Sequence, residues 1–185
     1  MGKNKLKKFA EMTAFKNVIQ APFYDLNQPD HEWKGKWSRN FFNNDHPVIL
    51  ELGCGKGEYT ISLACRFPGV NFIGIDVKGA RMWKGAKEAL ERNISNVGFL
   101  RTNIEILEKF FDRGEVEEIW LTFPDPQMKN ARRRLTASNF MEKYRRILNP
   151  GGRVHLKTDS NFQFRYTLGM LKENQLNMLA CTDDL

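Results

Sequence analysis

The sequence predicts a mixed α/β protein, with a mostly parallel sheet carrying helices on both faces. Three observations predict it. From Val48 onward, short β-rich runs alternate with segments of helical periodicity. That is the pattern of βαβ units, whose crossovers lay helices over the sheet. The motifs with chemical character all fall at the ends of these runs, where parallel sheets bind ligands. The chain has 185 residues, 41% of them hydrophobic, which suits one domain with a sizeable core.

Taken in order, residues 1–46 read as a basic and aromatic extension, and residues 47–185 as the sheet-bearing domain. Lys3, Lys5, Lys7 and Lys8 open the chain, and this start is expected to be partly mobile. The lysine run suits either an RNA-binding arm or solubilising disorder. Trp33 and Trp37, four residues apart, suit packing on the outer helices more than base stacking. The β-rich runs are Val48–Leu52, Asn71–Asp76, Val97–Arg101, Glu118–Phe123 and Arg153–Thr158. Between them, Met82, Ala86 and Leu90 recur at helical spacing, as do Ile104, Leu107 and Phe111. Phe140, Tyr144, Ile147 and Leu148 form an apolar stripe that Asn149-Pro150-Gly151-Gly152 should terminate. A final helix should carry Phe164, Leu168 and Leu171, and only the short run Leu176–Ala180 follows it.

Basic residues exceed acidic ones by seven, 29 against 22, an excess that points to a polyanionic partner. No apolar stretch reaches the ~18 residues of a membrane helix. The N-terminal lysines precede no apolar signal segment. Cys54, Cys65 and Cys181 match neither a disulfide framework nor a zinc pattern, and the three scattered histidines suggest no metal site. A cytoplasmic protein without a membrane or metal partner is the expectation, either monomer or homodimer.

The first run leads into Glu51-Leu52-Gly53-Cys54-Gly55-Lys56-Gly57-Glu58. Glycines at a strand-to-helix turn permit positive φ and let a ligand approach the backbone. Glu58 stands where the dinucleotide fingerprint wants its third glycine, and no Gly-Lys-Ser/Thr completes a P-loop. An acid two residues before Gly-x-Gly-x-Gly suits a cationic cofactor and repels a pyrophosphate. Asp76 closes the second run, where a carboxylate can accept from both ribose hydroxyls; such charged bonds are worth roughly 1.5–3 kcal/mol each. Asn103, after the third run, holds the place from which such folds often read an adenine amino group.

The fourth run delivers Phe123-Pro124-Asp125-Pro126-Gln127-Met128-Lys129. Two prolines stiffen the backbone around Asp125. From Pro126 to Arg146 seven basic residues face one acid, Glu142, which reads as a phosphate-backbone clamp built on Lys129, Arg132, Arg133 and Arg134. The segment lacks the second proline and the aromatic of the DNA amino-methylase motif, which argues against exocyclic-amine chemistry.

The glycine loop resembles the first motif of class I S-adenosylmethionine-dependent methyltransferases, which implies a Rossmann-like methyltransferase fold. Glu51–Gly57, Asp76, Phe123-Pro124-Asp125-Pro126 with Lys129 and Arg132-Arg133-Arg134-Leu135, and Pro150-Gly151-Gly152 leading to Lys157-Thr158-Asp159 together resemble the bacterial tRNA (guanine-N7-)-methyltransferases. The likeness covers about residues 48–172. It implies that Glu51, Gly53, Gly55, Asp76, Asn103 and Asp125 contact S-adenosyl-L-methionine. It likewise implies that Lys129 and Asp159 contact substrate, that residues 131–136 contact RNA, and that the target is guanine 46 in the variable loop of tRNA. Asp125 is the expected catalytic carboxylate, with Asp159 second. The chain departs from the family at Gln127-Met128, where Trp-Pro is usual, and at Asn103, where an acid is usual. It also lacks the family's closing strand and Thr-x-Tyr/Phe-Glu motif, so the antiparallel end of the sheet should be incomplete and the C-terminal end truncated. Two other readings stand beside this one: a non-catalytic RNA-binding module, and a methyltransferase acting on another RNA.

Overall fold

The computed structural model describes residues 3–183. Its elements are α1 (Lys3–Thr13), β1 (Val18–Gln20), β2 (Val48–Leu52), α2 (Glu58–Arg66), β3 (Asn71–Ile75), α3 (Gly79–Glu91), β4 (Val97–Arg101), β5 (Val116–Thr122), α4 (Ser138–Ile147), β6 (Leu148–Lys157) and α5 (Asn161–Glu173). The strands form one sheet in the order β1-β4-β3-β2-β5-β6, and every pairing is parallel. All carboxyl ends therefore share one rim. The order reverses between β2 and β5, the switch point at which such sheets open a crevice.

Alternating strand residues feed two apolar layers. Leu50, Leu52, Ile73, Ile75, Leu100, Ile119 and Leu121 pack against Trp37, Phe110, Phe111, Phe140 and Tyr144. Phe72, Val97 and Phe99 pack against Ile61, Met82 and Ala86 of α2 and α3. Strands buried on both sides read as near-continuous apolar runs, which is why β2, β3 and β4 are plain in the sequence.

Residues 3–46 pack on the sheet domain. α1 lies on α3, where the Trp83 indole donates to Glu11 at 2.7 Å, and β1 pairs with the β4 edge. Met12 and Trp37 are fully buried. Trp37 sits in a π-helical turn at Trp37–Phe41, donates its indole N–H to the Phe110 carbonyl at 2.7 Å and stacks on Phe111. The Glu115 carboxylate accepts from the backbone N–H groups of Gly35, Trp37 and Asp112, fastening this segment to the sheet domain. The mobility expected at the very start falls in part on residues 1 and 2, outside those described.

Other differences have local causes. Residues Ile104–Lys109 form a 3₁₀ turn because Ile106 leaves helical geometry, with φ −118°. Leu148 belongs to β6, which pairs Val116 with Leu148 and resumes at Glu118 with Arg153. Asn149-Pro150-Gly151-Gly152 is thus an excursion inside that strand, turned by Gly151 at φ 89°. In α5 the buried positions are Gln163 and Met170, whereas Phe164, Leu168 and Leu171 are half-buried. Residues 174–183 contain no strand, so no antiparallel strand closes the sheet among the described residues. Within the same limits, no helix is long and apolar enough to cross a membrane.

Candidate active site

The rim gathers the side chains singled out by the sequence. Following strand order β4, β3, β2, β5, β6, their carboxyl ends carry Asn103, Asp76, Glu51 with the glycine loop, Asp125 and Asp159.

The turn after β2 runs through Gly53, Gly55 and Gly57, all at positive φ (78°, 57° and 75°). Gly53 and Cys54 donate their N–H groups to the Ile75 carbonyl, which pins the turn to β3. A Cβ on Gly57 would strike the Phe99 ring at 2.5 Å, so this glycine serves packing. A Cβ on Gly53 or Gly55 would meet nothing closer than 4.0 Å. Open space lies in front of these two, which fits a cradle for a ligand.

Asp76 holds the loop from the neighbouring strand. Its Oδ2 accepts from Gly55 N–H at 3.0 Å and its Oδ1 from Lys78 N–H at 2.7 Å. A carboxylate offers about four lone-pair sites, so acceptor capacity remains for two hydroxyl groups. Asn103 is exposed and makes no capping bond to the turn it precedes.

Glu51 is 5% exposed and accepts from the hydroxyls of Thr60 in α2 and Thr122 in β5. Gly74 makes room for this arrangement, since a Cβ there would lie 2.9 Å from Thr60 Oγ1. Burial pushes the Glu51 carboxyl above its ordinary range, the two threonine hydroxyls pull it back in part, and Asp76 adds to the upward shift. A carboxyl whose folded-state value is raised contributes stability at low pH that is lost as pH rises through that value. Glu51→Gln is therefore expected to raise the thermal midpoint around neutral pH, with the gain fading below the ordinary carboxylate range. Melting curves across pH check this; a gain that grows on acidification contradicts it.

Asp125 is exposed, and its Oδ1 accepts from Gln127 N–H at 2.9 Å. The loop is held in an unusual shape: Phe123 and Gln127 stand on either side of Asp125 in the left-handed region, at φ 47° and 46°. That geometry costs a non-glycine residue roughly 1–2 kcal/mol. Phe123 N–H donates to the Lys157 carbonyl at 2.7 Å, joining this loop to the end of β6. Lys129, Arg132, Arg133 and Asp159 are exposed, with Arg132 and Arg133 on a 3₁₀ turn at Ala131–Arg133.

Arg134 is placed differently from Arg132 and Arg133. It is 6% exposed, and its guanidinium faces internal carbonyls and two aromatic rings. Sequence reasoning also missed Thr60 and Thr122, which nothing sets apart from the other polar residues of α2 and β5. The Cys54 thiol is buried and its pKa is pushed well up by burial, which removes it as a nucleophile. Among the described residues no three His, Cys, Asp or Glu side chains gather as a metal site would require.

Comparison with known proteins adds four findings. A family model described as "Putative methyltransferase" matches residues 45–184. The chain is 57% identical over 185 residues to the tRNA (guanine-N(7)-)-methyltransferase of Bacteroides thetaiotaomicron, covering all of this chain and 73% of that protein. It is also 57% identical to the enzyme of the same name from Christiangramia forsetii, covering 99% of this chain and 83% of that one. Among solved structures, a variant of the 16S rRNA (adenine(1408)-N(1))-methyltransferase from Catenulisporales acidiphilia, with cosubstrate SAM, aligns with TM-score 0.55 at 14% identity, over 73% of this chain and 74% of that one. That likeness concerns the fold, which is Rossmann-like.

Proposed function

The chain belongs to the tRNA (guanine-N7-)-methyltransferases, and from that membership we propose that it transfers the methyl group of S-adenosyl-L-methionine to N7 of guanine 46 in the variable loop of cytoplasmic tRNA. The observation that carries the reading is the juxtaposition at the β2/β5 switch point. The glycine cradle with Asp76 and Glu51 stands on one side, and exposed Asp125 with Lys129, Arg132 and Arg133 beyond it on the other.

When bound, S-adenosyl-L-methionine supplies an electrophilic methyl on a sulfonium centre. Asp76 accepts from the ribose hydroxyls, its carboxylate already oriented by two backbone N–H groups. Glu51 faces the ammonium group, and Asn103 serves the adenine. Gly53 and Gly55 leave room for the backbone to approach.

Guanine N7 presents a lone pair, so no residue has to remove a proton before transfer. Methylation at N7 would leave positive charge on the purine. A carboxylate beside the base therefore stabilises the transition state more than the ground state, which is the condition for raising kcat. Asp125 is that carboxylate; it can also accept from the guanine N1–H and amino edge, which becomes more acidic as N7 is alkylated. Asp159 is second in that role. Lys129, Arg132 and Arg133 neutralise phosphates and set the register of the RNA. The base leaves its tertiary contacts to reach the site, at a cost of a few kcal/mol.

Incubation with methyl-labelled cofactor and unmodified tRNA, followed by borohydride–aniline cleavage, tests the proposal. Label in the RNA with scission at position 46 is expected. Label without scission would move the target atom, and absence of label would favour a non-catalytic RNA-binding role.

A further inference from the structure

Arg134 is the middle of a mechanical connection that runs from α5 to Asp125, and we infer that it is a positioning residue for the methyl-transfer loop, not an RNA contact. The inference rests on the function proposed above for that loop.

Three consecutive arginines look alike in the sequence, yet they have separate fates. Arg132 and Arg133 are exposed. Arg134 turns inward: its Nε donates to the Pro126 carbonyl at 3.0 Å and its Nη2 to the Gln127 carbonyl at 3.4 Å. The guanidinium lies over Tyr166 at 4.2 Å and over Phe162 at 4.6 Å, both from α5. No carboxylate pairs with it among the described residues, so carbonyl dipoles and ring faces carry the whole compensation for a buried cation.

What it holds is the backbone that aims Asp125. Gln127 is kept at φ 46°, and its N–H is the donor to Asp125 Oδ1. The chain of contacts is therefore guanidinium, two loop carbonyls, one backbone N–H, and the carboxylate proposed to face guanine. On its other side the same guanidinium grips the first turns of α5, the helix that begins just after Asp159 and is capped by Ser160. Two residues beyond Arg134, Thr136 reinforces that seat: its hydroxyl lies 2.9 Å from Thr167 Oγ1 and accepts from the fully buried Gln163 amide at 2.7 Å. Arg134 thus fixes Asp125 and Asp159, on loops from adjacent strands, relative to each other. Lysine could supply the charge but not a planar fork that bonds two carbonyls while stacking on two rings.

Arg134→Lys should lower kcat by on the order of tenfold to a hundredfold, the effect of misaligning a reacting pair. It should leave the Kd for tRNA, and the slope of log Kd against log salt, at the wild-type value. Arg132→Ala and Arg133→Ala should instead weaken tRNA binding and flatten that slope by about one per phosphate contact removed. Millimolar guanidinium should restore part of the kcat lost in Arg134→Ala. Hydrogen exchange reads the same coupling without catalysis: segments 123–130 and 160–167 should lose protection together in Arg134→Lys. A flattened salt slope in Arg134→Lys makes Arg134 a phosphate contact and overturns the inference. Unchanged exchange in both segments overturns it too, as does a lowered melting temperature with an unaltered single-turnover rate. A wild-type protein that fails to methylate tRNA defeats the functional reading instead, and the exchange experiment still decides the positioning role.

Discussion

Asp125→Asn is expected to lower kcat by about a hundredfold or more while tRNA affinity stays near wild type. The magnitude follows from removing a preorganised electrostatic group aimed at developing charge. Asparagine is the informative replacement because its carbonyl oxygen can still accept from Gln127 N–H, the bond that shapes the loop. The variant therefore keeps the turn and loses only the negative charge. Single-turnover methyl transfer at saturating tRNA and cofactor isolates the step. A fall of only a few fold, with tRNA binding unchanged, would remove Asp125 from the electrostatic role and leave Asp159 as the candidate.

Asp76→Ala should act on a different quantity. Two charged-acceptor bonds to ribose hydroxyls, at roughly 1.5–3 kcal/mol each, correspond together to a loss of at least about a hundredfold in cofactor affinity. The substitution also frees Gly55 N–H and Lys78 N–H, the two bonds that tie the glycine loop to the start of α3. Loosening of the cradle adds to the loss in the same direction. Calorimetric titration with sinefungin measures it directly. A Kd within about fivefold of wild type would mean that the ribose is held elsewhere on the rim.

The legible part of this molecule is the part with repetition. β2, β3 and β4 are apolar runs buried on both faces, and the residues that follow the strands at the rim carry the chemistry, so both the sheet and its ligand edge can be read from one chain. What could not be read depends on contacts between distant segments. β1 has three residues, too few to show any alternation, and exists because the β4 edge accepts it. Trp37 reads from the sequence as packed on outer helices, and its place in the central core becomes visible only where Phe110 and Phe111 close over it.

The site divides in the same way. Gly53, Gly55, Asp76 and Asp125 stand out because a turn, a strand end or a proline pair marks each of them. Glu51 is visible as an acid before the loop, but its burial under Thr60 and Thr122 is a product of packing. The burial of Arg134 is hidden for a related reason. A run of cations in one segment suggests one shared task, whereas the 3₁₀ turn at Ala131–Arg133 rotates successive side chains apart and sends the last one into the protein. The left-handed backbone at Phe123 and Gln127 has no sequence signature, since neither is a residue that favours it.

The decisive comparison uses two tRNAs that differ by one atom in the base ring, guanine or 7-deazaguanine at position 46, each offered to the protein with methyl-labelled S-adenosyl-L-methionine. The account predicts that both bind with similar Kd, that the guanine form takes up one methyl group per molecule, and that the deaza form takes up none. Equal labelling of the two would contradict it.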